Sequence, residues 1–289
     1  PRSFGPGGDD EIRSVSCPRS SPPSPPKEVS HSPLRGEGVF LRYSVDGIIT
    51  LNKPTGITSA KALYRVRSIT GERKSGHAGT LDPAASGVLV LCLGKATKLV
   101  ESIMDQPKVY RAMARLDVTS ESFDSDRPLT AVEVAVIPTI EAVRSVCADF
   151  EGVIEQVPPQ ISAVKVGGVP AYKRKAGEGP VVLAARPVTV YWLHIHALNW
   201  PTIDFEMCCG RGTYVRSLIR DLGQRLDTGG CLTSLTRSRV GPFTVENAWS
   251  LESLSTAAGP SKYLLDLESA RAALAPGRVV IPPRPRSCG

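Results

Sequence analysis

The stretch 76-GHAGTLDPAASGVLVLCLG-94 decides how this chain reads. Its second half, Val88 to Gly94, is an uninterrupted apolar run of strand length, the pattern of a strand buried on both faces. Its first half sets His77, Thr80 and Asp82 in a loop marked by glycines and by an Asp-Pro step. A polar loop anchored to a buried strand is a common mount for binding and catalytic groups.

Working outward, 47-GIITL-51 reads as a strand and 52-NKPTG-56 as a turn. A helix over 58–70 follows, capped by Thr58 or Ser59, with Leu63, Val66 and Ile69 on one side and Lys61, Arg65 and Arg67 on the other. From Val109 the chain alternates: Tyr110, Ala112, Ala114 and Leu116 face one way, and Arg111, Met113 and Arg115 the other. That outer basic face is expected to meet a polyanion. The acidic stretch 117–130 reads as a loop. A helix is expected over 139–150, then strands over 161–166, 188–198 and 203–209. Thr213 is expected to cap a helix whose Val215, Leu218, Ile219, Leu222 and Leu226 form an apolar stripe. Runs of strands with occasional helices predict an α+β fold with a largely antiparallel sheet.

Residues 1–44 are rich in Pro and Ser, lack apolar periodicity, and are expected to form a disordered, dispensable tail. That tail shows no signal-peptide or transit-peptide pattern. No apolar run approaches the ~20 residues of a membrane span. The expectation is a cytoplasmic protein without a membrane partner. The net charge of +7 lies almost wholly after residue 45, which suits a polyanionic partner such as nucleic acid. The seven cysteines form no CxxC pair, and the four histidines are scattered, so neither a metal nor a disulfide framework is indicated.

The common cofactor schemes also fail. In 87-GVLVLCLGKA-96 six residues separate the glycines and Ala follows the Lys, so it is no phosphate loop. Neither GxGxxG, HExxH nor GxSxG occurs. No cofactor is expected. Taken alone, Asp82 before Pro83 reads more readily as a helix N-cap than as a catalytic carboxylate, since such caps are far commoner. His77, taken alone, likewise reads more readily as a loop histidine bonded to a neighbouring backbone carbonyl. Arg216, in the first turn of a helix where the macrodipole disfavours a cation, is explained either by an anion beside it or by solvation.

Six blocks in order carry a family resemblance: 47-GIITLNKPTGITS-59, 76-GHAGTLDPAASGVLVLCLGKATKL-99, 108-KVYRAMARL-116, 156-QVPPQISAVKVGGVPAY-172, 210-GRGTYVRSLIRDLG-223 and 235-LTRSRVGPF-243. Over about 46–245 the chain resembles the TruB-type bacterial tRNA pseudouridine synthases, which isomerise uridine 55 in the T loop of tRNA. The resemblance implies the pseudouridine-synthase fold, with a mixed sheet, flanking helices and a central RNA cleft. It implies Asp82 as nucleophile and Tyr110, Tyr214, Arg216, His77 and Lys53 as substrate-binding or supporting residues. It implies a catalytic domain over 45–250 and a short segment over 251–289 with the accessory PUA domain absent or truncated. It further implies tRNA as partner and a monomer with no obligate protein partner.

The chemistry agrees with those residue types. A uridine must leave its stack to expose the glycosidic bond, and aromatic side chains accept a flipped base. A carboxylate then attacks the sugar or base, and an Arg beside it holds the charge in place. The competing reading is a tRNA-binding folding helper with little or no catalysis. Three departures stand out. Ile161 replaces a Tyr, Asp117 replaces a Gly, and 173-KRKAGEG-179 breaks the usual pattern.

Overall fold

The structure is a computed structural model of the chain and describes residues 45–161, 165–166, 169–170, 183–275 and 280–286. The expected tail 1–44, residues 162–164 of the strand expected over 161–166, and 173-KRKAGEG-179 lie outside the described residues.

Strands β1 (Gly47–Lys53), β3 (Ser86–Leu93) and β4 (Lys108–Arg115) follow the periodicities of the sequence closely, whereas β2 (Ser75–His77) puts His77 on a short strand beside β3 and not in the loop expected for it. Short β5 (Val118–Thr119) and β6 (Thr130–Ala131) pair within the acidic loop. After them come β7 (Gly152–Gln156), a small hairpin of β8 (Lys165–Val166) and β9 (Val169–Pro170), and the long pair β10 (Arg186–Asn199) and β11 (Thr202–Cys209). The set closes with β12 (Cys231–Val240), β13 (Phe243–Thr244) and β14 (Leu265–Asp266).

These strands build one main sheet in the order β14-β1-β3-β12-β4-β11-β10-β7, with β2 beside β3 and β13 beside β12. Every pairing in it is antiparallel except β3 with β12, where Ser86 and Gly87 lie parallel to Thr236 and Arg237. The predicted α+β class with a mixed, largely antiparallel sheet is what the chain adopts. The two halves of the sheet meet at the parallel contact, where backbones approach so closely that a Cβ on Gly87 would overlap the Arg237 carbonyl. Gly87 also has φ +100°, a conformation open to glycine at little cost.

The β3 run has apolar partners on both faces. Leu89, Leu91 and Leu93 join the larger core, while Val88, Val90 and Cys92 join the smaller one. Each such Leu, fully buried, contributes roughly 1.5–3 kcal/mol of hydrophobic stabilisation.

Helix α1 (Ser59–Thr70) buries Ala62, Leu63 and Val66 in the larger core. The short α2 (Val100–Met104) continues a 3-10 turn over Gly94–Leu99. Helix α3 (Ile140–Ala148) packs Val143 and Cys147 beside β10. Helix α4 (Val215–Arg225) buries the predicted stripe of Val215, Leu218, Ile219 and Leu222. Of the alternative caps for α1, Thr58 is the one used: its Oγ1 accepts from the Lys61 amide at 3.0 Å. Thr213 does not cap α4. Tyr214 occupies that position, and the Thr213 hydroxyl instead donates to the Gly210 carbonyl at 3.3 Å.

Past residue 250 the chain stays with the main body. Helices α5 (Leu251–Thr256), α6 (Pro260–Tyr263) and α7 (Leu267–Ala273) flank β14, which pairs with β1 at the sheet edge. The Pro- and Arg-rich end is tied down over 280–286. Trp192 Nε1 donates to the Pro282 carbonyl at 2.7 Å, and Arg284 grips both Glu151 oxygens at 2.5 Å. No helix among the described residues is long and apolar enough to cross a membrane.

Candidate active site

The loop 78–85 lies where β3 and β12 meet, and its backbone is fixed by residues outside it. Ser59 Oγ donates to the Leu81 carbonyl at 2.9 Å and accepts from the Leu81 amide at 2.8 Å. The Gly56 amide donates to the Pro83 carbonyl at 2.8 Å. Arg237, only 1% exposed, reaches across with its guanidinium to the carbonyls of Val88 (2.8 Å), Gly79 (3.1 Å) and Thr80 (3.4 Å). No helix follows Pro83, so Asp82 has no cap to serve. Its side chain is 43% exposed and its Oδ2 meets Arg216 Nη2 at 2.7 Å.

Arg216 is the buried partner. Besides Asp82, its Nη1 donates to the carbonyls of Ile161 at 3.0 Å and Ser122 at 3.2 Å. The anion that a cation in the first turn of α4 called for is therefore Asp82, and three acceptors hold the guanidinium in one orientation. Ile161 contributes through its carbonyl, so this contact does not depend on the missing Tyr side chain. Asp117, the second departure, takes both forks of Arg115 at 2.8 and 2.5 Å and lies with the reverse face of β4.

A cavity of about 240 Å³ opens over this pair, lined by Asp82, Tyr110, Tyr214, Arg216 and Arg237 among others. Tyr110 sits between Met207 and Arg237 on the neighbouring strands, and burial pushes its phenol up, partly offset by the Arg237 guanidinium. Tyr214 is bracketed through its backbone by buried Gln156. The Gln156 Oε1 accepts from the Tyr214 amide at 2.8 Å, and its Nε2 donates to the Tyr214 carbonyl at 3.2 Å.

A wider cavity of about 640 Å³ shares Thr80, Leu81, Asp82 and Arg216 with the first and adds His77, Thr58 and Asp124. Burial, and then Arg237, lower the His77 pKa, so the ring is neutral at pH 7. Its Nδ1 is buried without a hydrogen-bond partner. Burial, and then Asp126, push the Asp124 carboxyl up, with Arg216 opposing.

Lys53 lines neither cavity. Fully buried beneath the turn, it donates to the carbonyls of Pro54 and Ile57, both at 2.9 Å. Burial lowers its pKa to about 8, against the pull of Asp82 and with a further push from Arg237.

Tyr110, Tyr214 and Arg216 thus stand around Asp82, His77 lies in the adjoining space, and Lys53 supports the turn from below. Arg237, Gln156 and Asp124 were not anticipated. The alternation in 235-LTRSRV-240 carried a signal for Arg237, since it puts that charge in step with inward-facing Leu235. Nothing in the acidic loop distinguished Asp124 from its neighbours.

Comparison with known proteins bears on this arrangement. Residues 67–215 match the family model described as TruB family pseudouridylate synthase, N-terminal domain, and residues 216–277 match the tRNA pseudouridylate synthase B C-terminal domain. A tRNA pseudouridine synthase B of Arthrobacter sp. (strain FB24) is 40% identical over 240 residues, spanning 81% of this chain and 77% of that protein. One of the same name from Thermobifida fusca (strain YX) is 43% identical over 218 residues, 73% and 74% of the two chains. Among solved structures, a chain in the crystal structure of a Cbf5-Nop10-Gar1 complex superposes with a TM-score of 0.58 at 31% identity. That match covers 73% of this chain and about half, 54%, of the other. On these matches the chain belongs to the TruB family of pseudouridylate synthases, enzymes of the isomerase class.

Proposed function

We propose that this protein isomerises a uridine in the T loop of tRNA, position 55, to pseudouridine, with Asp82 as nucleophile. The observation that carries the reading is the Asp82 carboxylate. It is half-exposed, opens into the cavity lined by Tyr110 and Tyr214, and is aimed by a buried Arg216 that is itself fixed by two carbonyls. A cavity of about 240 Å³ suits one unpaired base rather than a duplex, so the target enters flipped.

In the reaction the N1–C1′ bond breaks, the C5–C1′ bond forms, C5 loses its proton and N1 gains one. No atom is lost and no electron pair leaves the substrate. Asp82 bonds covalently to the substrate and is released unchanged. Tyr110 and Tyr214 wall the space in which the freed uracil turns, and Arg216 keeps the carboxylate directed at it. The neutral His77 ring offers its unpartnered Nδ1 to the nucleotide in the wider cavity. Lys53 and Arg237 hold the turn and the loop that present Asp82.

Tritium release from a T-arm transcript carrying C5-tritiated uridine tests this. Asp82→Asn is expected to lower release on the order of 10³–10⁶-fold while binding the transcript within a few-fold of the unaltered protein. Tight binding without release by the unaltered protein would instead establish an RNA-binding helper.

A further inference from the structure

We propose that the exposed face of α1 is a second RNA surface, on which Tyr64 stacks against an unpaired nucleotide next to the flipped uridine while Lys61 and Arg65 hold its phosphates. This rests on the reading that the Asp82 cleft takes a flipped uridine.

Helix α1, SAKALYRVRSIT, contains three cations and no carboxylate in twelve residues. A solvated surface helix ordinarily intersperses acids at i,i+4 to its Lys and Arg. Lys61 also lies in the first turn, where the macrodipole disfavours it. Several exposed arginines elsewhere are neutralised by carboxylates, Arg111 by Asp204, Arg211 by Glu101 and Asp105, and Arg225 by Asp149. The side chains of Lys61 and Arg65 have no partner among the described residues. Of the three α1 cations, Arg67 alone is used internally, on Ser75 at 2.6 Å. Tyr64, beside them, is 68% exposed, a large aromatic ring held out to water.

The face is continuous with the catalytic cleft. Thr58, Ser59 and Ala60 line the wider cavity with Asp82, and Tyr64, Arg65 and Ser68 line an open groove one turn further along. Four residues of helix advance about 6 Å, and a stacked strand advances about 3.4 Å per nucleotide, so Tyr64 lies one to two nucleotides from the cavity rim. Stacking on an aromatic with phosphates on neighbouring cations is the standard way a protein tracks unpaired RNA. The far wall of the groove carries Glu252, which forms no ion pair with Arg65.

The test measures binding, kcat and KM on a T-arm hairpin for the unaltered protein, Tyr64→Ala, Tyr64→Phe and the Lys61→Ala/Arg65→Ala double variant, each across a salt series. Tyr64→Ala is expected to raise Kd and KM about tenfold, with kcat within twofold and Tyr64→Phe near normal. The double variant is expected to lower the slope of log K against log salt by about 2. A 5-iodouridine beside the target is expected to photo-crosslink to Tyr64. Unchanged Kd and salt slope, with no crosslink to α1, in a protein that still releases tritium would overturn this surface and leave the proposed reaction standing. No release by the unaltered protein from any T-arm substrate would remove both.

Discussion

Arg216 donates from Nη2 to Asp82 and from Nη1 to Ser122 and Ile161, a planar two-nitrogen span that the single nitrogen of an ammonium does not reproduce. Arg216→Lys is therefore expected to slow tritium release about 10²–10³-fold, and to lower stability by about 1–3 kcal/mol through the abandoned carbonyls; urea titration and initial rates read the two effects separately. Lys53 makes a pH prediction. Its folded pKa of about 8 lies below its ordinary 10.5. The unfolded chain therefore binds the extra proton between those values, and the stability contribution of Lys53 grows as pH rises from 8 to 10.5. Relative to Lys53→Met, the unaltered protein is expected to gain on the order of 2–3 kcal/mol across that window. Parallel stability curves for the two proteins would refute it. At this scale the sequence was partly legible. Spacing alone left Asp82 divided between cap and catalyst, and family resemblance was what separated them. Spacing from Leu235 hinted that Arg237 faces inward, but not at what, because its job is to bond carbonyls some 150 residues away in the chain.

Elements were read best where a single face is buried. The helix stripe of α4 and the β4 alternation came directly from local periodicity, because one-sided burial writes itself into every second or every third and fourth residue. Strand β12 escaped because its pattern is broken: register shifts against β4 between Leu232 and Ser234, and between Arg237 and Arg239, interrupt the alternation. Its contact with β3 admits a sharp test. Gly87→Ala puts a Cβ against the Arg237 carbonyl at φ +100°. It is expected to cost at least about 2–3 kcal/mol and to lower activity by shifting the loop that carries Asp82. A variant as stable and as active as the unaltered protein would show that the parallel crossing is not what positions the loop.

On the scale of the whole molecule, charge is sorted between faces. The outer face of β4, read from sequence as a polyanion surface, is the reverse of the one that carries Tyr110, and its arginines are already engaged: Arg111 with Asp204 at 2.8 Å and Arg115 with Asp117. Arg111→Ala and Arg115→Ala are accordingly expected to change tRNA affinity less than about twofold and to leave its salt slope intact; a slope reduced by a full unit would return the RNA to that face. By itself the amino-acid sequence determined the class of fold, most of the strands and helices, and the candidates Asp82, Tyr110, Tyr214 and Arg216, since each of these is expressed in local periodicity or in an ordered set of short blocks. Tertiary structure alone decided that Asp82 pairs with Arg216, that Lys53 and Arg237 support the site from below, and that Asp204 engages Arg111. Those facts depend on contacts between residues far apart in the chain, and no local pattern records which distant charge a folded backbone will bring within reach.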